Sequence, residues 1–353
     1  MANEDAHQAA AHWGDDQRAA LLAEGGLAWS QLPAVQARIN EKISGSPDRD
    51  WIDHLMATQL SDRWPVQRSV SICCYEGRAE RALAQRGAVR HCLGLDISEG
   101  ALRRARQLAE EADIDGLEFA CQDINSLSLE PATYDVIFSH HALHHIVELE
   151  HVLDEMARAL KPHGLLVIDE YVGPSRFQYP DRQIELCNAA LRLLPERYRR
   201  SVSWQRVGRV GLGASRTRLQ WLRLAWLKVR NRTLLEALTR RIRHRHLQQT
   251  SQVCVKNEVP RIQASEMAID DPSEAVRSGD MLPLIRERFE VLDERPYGGT
   301  LLHPVLNDIA GNFIADDPQS MELLQMLFTI EDALLASGEI VSDFAYLVAK
   351  PKG

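Results

Sequence analysis

Residues Val70 to Gly77 read as a short apolar strand that runs through a tight turn into a helix, and Asp96 stands 19 residues beyond Gly77 at the end of a second apolar run. Such a turn can lay its backbone against a nucleotide, and a carboxylate at that distance can take the hydroxyls of its ribose. Three positions of a turn like this favour glycine. Here Cys73 and Tyr75 occupy two of them and Gly77 alone remains. Where such a position needs a positive φ, a non-glycine residue costs roughly 1–2 kcal/mol, whereas a ring that filled the ligand's space would abolish binding. Gly77 and the helix N-terminus after it can still offer amide donors to an anion.

A second group of reactive side chains lies farther along. His140, His141, His144 and His145 follow the strand-like run 134–139, and Asp169, Glu170 and Tyr171 follow 164–168. One of His140 or His141 is suited to act as a general base. Glu170 is expected to bind or deprotonate a hydroxyl, with Tyr171, Arg176 and His303 as substrate ligands around it. Four histidines near two carboxylates also raise a metal reading, which needs ligands on one face. Packing and hydrogen bonding are the expected use of this cluster, and no metal is expected.

The elements that must carry these residues alternate. Strand-like runs at 69–74, 91–95, 117–121, 134–139 and 164–168 are separated by helical patterns, one capped by Ser98 and one running from Glu148 to Leu160, where Lys161-Pro162-His163-Gly164 reads as a terminator. The alternation predicts a doubly wound α/β fold with a mostly parallel seven-stranded sheet. In such sheets ligands lie beyond the carboxyl ends of the strands, which hold Tyr75, Asp96, Asp123, the segment from Ser139 to His145, and Asp169 to Tyr171. Four parts are expected: an N-terminal helical segment (1–65), the core (66–194), a basic helical insertion or lid (195–270), and a C-terminal return to the core (271–353).

Composition narrows the class. The chain has 353 residues, 45% of them apolar, and a net charge of −9, ordinary for a globular protein. The acidic start Met1-Ala2-Asn3-Glu4-Asp5-Ala6 does not read as a secretory signal, no apolar run reaches the roughly 20 residues of a membrane span, and a cytoplasmic location is expected. Six cysteines lack paired spacing and suit reduced, packed thiols. Charge is unevenly placed: Arg199 to Arg245 holds 14 Lys plus Arg against Glu236 alone, so this stretch is +13 and the remainder −22. With Trp204, Trp221 and Trp226 among its arginines, the stretch suits peripheral contact with anionic lipid through 199–245, a lid or homodimerisation element on the acidic body, or nucleic acid. The lid or dimerisation element leads, because a charge run is usually a solvated face rather than a binding surface. No nucleic-acid motif accompanies the run, and no nucleic-acid partner is expected.

In order and spacing, these residues resemble the class I S-adenosylmethionine (SAM)-dependent methyltransferases, over 69–171 and again over 285–350. Cys73-Cys74-Tyr75-Glu76-Gly77 stands in place of the glycine-rich first motif. Gly94-Leu95-Asp96-Ile97-Ser98 matches the ribose-binding segment and Asp123-Ile124 the pair beside the adenine. Tyr134 to Phe138 with Leu143-His144-His145-Ile146, and Leu160 to Leu166, match the fourth- and fifth-strand signatures. The flanks resemble a bacterial subgroup through Arg38-Ile39-Asn40 with Ser44-Gly45, Asp169 to Pro174, and Tyr297 to His303. The resemblance implies SAM as cofactor, held by Cys73, Tyr75, Gly77, Asp96, Ile97, Asp123, Ile124 and Ser139. It implies methyl transfer to an oxygen or nitrogen of a small-molecule, glycan or lipid-linked acceptor. The substituted turn keeps a rival open: a methyltransferase-like protein that no longer methylates.

Overall fold

The computed structural model describes residues 28–201, 255–265, 267 and 271–352. The basic run, apart from Arg199 and Arg200, lies outside the described residues, as do the three tryptophans within it and Cys254.

Seven strands form one sheet: β1 (Ser69–Ile72), β2 (Cys92–Asp96), β3 (Leu117–Cys121), β4 (Tyr134–His140), β5 (Leu160–Tyr171), β6 (Phe289–Gly298) and β7 (Phe344–Pro351), in the order β3-β2-β1-β4-β5-β7-β6. The first five are parallel, and β7 runs antiparallel between β5 and β6. The order reverses between β1 and β2 on one side and β4 on the other, so a crevice opens above β1 where the flanking connections diverge. One boundary differs from expectation. The segment Lys161 to Gly164 does not end a helix as a loop but lies within β5, because Leu160 already pairs with Tyr134 before the register shifts to Leu165 opposite Val136.

Nine helices of the described residues cover the sheet. They are α1 (Pro33–Ser44), α2 (Trp51–Thr58), α3 (Arg78–Gln85), α4 (Glu99–Glu111), α5 (Leu149–Ala159), α6 (Asp181–Leu193), α7 (Ser278–Arg288), α8 (Leu302–Leu306) and α9 (Pro318–Ala336). Strand alternation divides the core between the two faces. Val136, Phe138, Val167 and Val348 pack with α1, α2, α6 and α9, while Ile137, Leu166, Ile168 and Leu347 pack with α5 and α7. The N-terminal helices are tied to the far end of the chain: Arg38 pairs with Asp332 at 2.8 Å and Glu331 at 3.1 Å, and His54 lies 2.7 Å from Asp293. No helix among the described residues is long and apolar enough to cross a membrane.

At the head of β7, Asp343 is fully buried. Its Oδ2 accepts from Gln183 Nε2 at 2.9 Å, while Oδ1 has no partner. Burial lifts its pKa from 3.8 to about 7. The folded protein therefore holds a proton that the unfolded chain releases, and this contribution to stability is lost as pH rises from about 4 through 7. Asp343→Asn removes the ionisation and keeps an acceptor for Gln183. Its melting temperature should exceed that of the native protein by several degrees at pH 8 and show no advantage at pH 4.

Candidate functional site

The turn after β1 keeps the backbone shape that glycines would give it. Cys73, Tyr75 and Gly77 have φ of 52°, 48° and 68°, all in the left-handed region, so Cys73 and Tyr75 each carry roughly 1–2 kcal/mol of strain. Gly77 could not be replaced in the same way, because a Cβ there would stand 2.8 Å from the Phe119 ring. Asp96, at the end of β2, fixes the turn from the side. Its Oδ2 accepts the Tyr75 amide and its Oδ1 the Ser98 amide, both at 2.8 Å. Asp96 is 6% exposed, and burial raises its pKa against the opposing effect of these amides. Asp123 caps the short turn Ile124–Ser126 through the Asn125 amide at 3.0 Å. Asn125 Oδ1 in turn accepts the amides of Val147 and Glu148, tying this turn to the loop after β4.

These pieces border a cavity of about 630 Å³ over the carboxyl ends of β1, β2 and β4, with Cys73, Tyr75, Asp96, Ile97, Asp123 and Ile124 in its wall. A volume of this size accommodates a nucleoside with an amino-acid tail. Two expected cofactor residues stand behind the wall. Gly77 caps α3 against Phe119, and buried Ser139 directs its hydroxyl at Glu170 Oε1, 3.4 Å away.

His140 and His141 also border the cavity. Both lean on Asp169, with Nε2 to Oδ2 separations of 3.3 and 3.9 Å. The other carboxylate oxygen, Oδ1, accepts the Tyr297 hydroxyl at 2.6 Å. Burial would raise the Asp169 pKa, but His141, His140 and Tyr297 hold it at about 2. Partial desolvation at the cavity rim disfavours protonation of His140, yet the hydrogen bond and charge of Asp169 outweigh it and leave its pKa raised. His141 goes the other way, held down to about 4 by burial despite Asp169. The coordinating atoms of His140, His141 and Asp169 all lie within 4.8 Å of one another, close enough to hold a cation, which the sequence reading did not expect.

Glu170 is a correction. Expected as a catalytic carboxylate, it points to the other side of β5, is fully buried, and does not reach the cavity. Its Oε1 accepts the amides of Ala142 and, at 2.6 Å, Leu143, and its Oε2 lies 2.8 Å from His144 Nδ1. Adjacent strand residues face opposite ways, so when Asp169 meets His140 and His141, Glu170 is left to hold His144 and the loop beneath them.

The expected substrate ligands also sit elsewhere. Tyr171 is buried and its hydroxyl donates to the Pro174 carbonyl at 3.0 Å. Arg176 donates to the carbonyls of Asp271, Pro272 and Glu274. His303 packs among Trp29, Tyr171, Phe177 and Phe344, where burial lowers its pKa to about 4. None of the three borders the cavity. Sequence reasoning missed Asn125 and the Tyr297 clasp on Asp169. Asn125, two residues after Asp123, was within reach of a turn analysis, whereas Tyr297 meets Asp169 only through the antiparallel return of β6 and β7.

Residues 70–168 match the model of a family described as a methyltransferase domain. The sheet order above is that of the Rossmann-like methyltransferase fold. Among curated relatives, the demethylmenaquinone methyltransferase of Clavibacter sepedonicus is 29% identical over 146 residues, which are 41% of this chain and 57% of that protein. The protein of the same description from Bacillus cereus (strain B4264) is 29% identical over 140 residues, 39% of this chain and 57% of its own length. The chain thus spans less than three fifths of these relatives. The PH0226 protein from Pyrococcus horikoshii OT3 aligns over 85% of this chain and 89% of its own at 16% identity, with a TM-score of 0.37, which adds nothing to the topology itself.

Proposed function

We propose that the protein binds SAM in the cavity over β1, β2 and β4 and transfers its methyl group to a hydroxyl or amine of a small-molecule or glycan-type acceptor. The observation that carries this reading is the retained left-handed turn at Cys73, Tyr75 and Gly77, clasped by Asp96 at the mouth of a nucleoside-sized cavity. Tyr75 stands in the wall and leaves that space open. Asp96 and Asp123 in the cavity wall support the reading as ligands of the ribose and the adenine. Bound there, SAM supplies an electrophilic methyl group on sulfur. What the chain must add is position and a proton acceptor.

His140 fits the second task. With Nε2–H donating to Asp169, its Nδ1 is left to take the acceptor's proton. Asp169 acts as a positioning residue: it fixes the tautomer and stabilises the imidazolium that forms. Glu170 and His144 hold the loop beneath. The direct test is incubation of the purified protein with SAM labelled in the methyl group and separate pools of hydroxylated glycans, amines and demethylmenaquinone. Label in a glycan or amine supports the reading. Label in demethylmenaquinone alone moves the acceptor to the one in the relatives' names, and no transfer to any pool by a protein that binds SAM supports the non-methylating rival.

A further inference from the structure

Glu80 takes no part in the chemistry described so far. It lies in the first turn of α3, is 1% exposed, and borders the cavity beside Ser71, Cys73 and His140. The Ser71 hydroxyl hydrogen-bonds to it, but its Oε2 has no hydrogen-bond partner. The neighbouring Arg81 does not fill the gap, because its guanidinium donates to the Glu76 carbonyl. Burial raises the Glu80 pKa against the effects of Ser71 and, more weakly, His140. A buried carboxylate oxygen without a partner, on a residue of the cavity wall, is costly unless a ligand completes it. The group that completes it best is a cationic donor.

The order of the sheet says which end of the ligand that is. Asp123 follows β3 and Asp96 ends β2, while Ser71 is on β1 and His140 ends β4. With the nucleoside over β3 and β2, the amino-acid tail falls over β1, between the nucleoside and the proposed base. We infer that Glu80 is a ligand-binding residue that takes the α-ammonium group of the methyl donor's amino-acid tail, oriented for it by Ser71. The inference rests on the proposed SAM site and adds a binding residue from the helix rather than from the turn.

The test compares S-adenosylhomocysteine with its deaminated analogue, in which hydrogen replaces the amino group, by calorimetric titration of the native protein and Glu80→Gln. The native protein should prefer the amine-bearing ligand by about 30-fold, the scale of a charge-assisted hydrogen bond. Glu80→Gln should remove most of that preference while leaving the deaminated ligand's affinity within about threefold. An undiminished preference in Glu80→Gln overturns the inference and leaves the cofactor reading standing. Native protein that binds neither ligand overturns both. Weakened binding of SAM with unchanged binding of S-adenosylhomocysteine would assign Glu80 to the sulfonium and overturn the assignment to the ammonium. Should Glu80→Gln fail to fold, Ser71→Ala decides: it keeps the carboxylate, removes its orienting hydroxyl, and should cut the preference several-fold. An unchanged preference in that variant counts against the inference.

Discussion

Asp169→Asn is expected to slow methyl transfer about 100- to 1,000-fold, within the range that a general base contributes. The affinity for S-adenosylhomocysteine should stay within about threefold, because Asp169 supports the base rather than the nucleoside site. The substitution is isosteric and still lets the Tyr297 hydroxyl find an oxygen. What it removes is the charge that keeps the His140 pKa raised against partial desolvation. The pH profile carries a sign that a merely structural role would not produce. His140 must be neutral to accept a proton, so native activity rises with pH through its raised pKa. In Asp169→Asn this acid limb should move to lower pH even as the plateau falls. His140→Ala should lose a comparable factor and abolish the limb. A variant that loses activity only in proportion to its folded fraction, with the limb unmoved, would remove Asp169 from the mechanism.

Glu170→Ala should be the most damaging single change to the fold, costing about 3–5 kcal/mol, the penalty for breaking one partner out of a buried charged pair. The amides of Ala142 and Leu143 and the His144 ring would lose their acceptor together. Against typical domain stabilities of about 5–15 kcal/mol, much of the protein would unfold near its working temperature. Burial opposes ionisation of Glu170, but His144 and the Ala142 amide outweigh it and lower its pKa. That contribution is complete above its ordinary value of 4.5 and is lost as pH falls through the lower folded value. Burial likewise opposes protonation of His144, but Glu170 outweighs it and raises the pKa. This contribution is complete below 6.5 and is lost as pH rises through the higher folded value. The pair is therefore worth most between pH 4.5 and 6.5. Chemical denaturation of the native protein and Glu170→Ala across pH should show the largest gap there.

The sheet was legible because its signals are local and repeated: apolar runs of strand length alternate with helical stripes, and both faces of β4 and β5 are buried as such runs imply. The turn was legible in its defect as well. Cys73 and Tyr75 stand where positive φ was suspected, and both adopt it. Legibility failed where a side chain's direction decides its use. Asp169 and Glu170 are neighbours in sequence and opposites in space, and position alone does not tell which meets His140 and His141 and which meets His144. Arg176 was expected as a substrate ligand, but three backbone carbonyls of the 271–274 segment, about 95 residues away, claim it. Nothing in the sequence sets Glu80 apart from other acidic residues of a first helical turn. Only the folded structure shows it buried and hydrogen-bonded to Ser71.

For the site to work, the altered turn must still hold its nucleoside, which calorimetric titration of the native protein with S-adenosylhomocysteine beside Asp96→Ala and Tyr75→Gly decides. Micromolar binding by the native protein is expected. Asp96→Ala should weaken it by at least about 30-fold, as the loss of a charged hydrogen-bond acceptor does, and Tyr75→Gly should stay within several-fold of native. No binding by the native protein, with binding appearing in Tyr75→Gly, would show that the ring closes the site and would contradict the account.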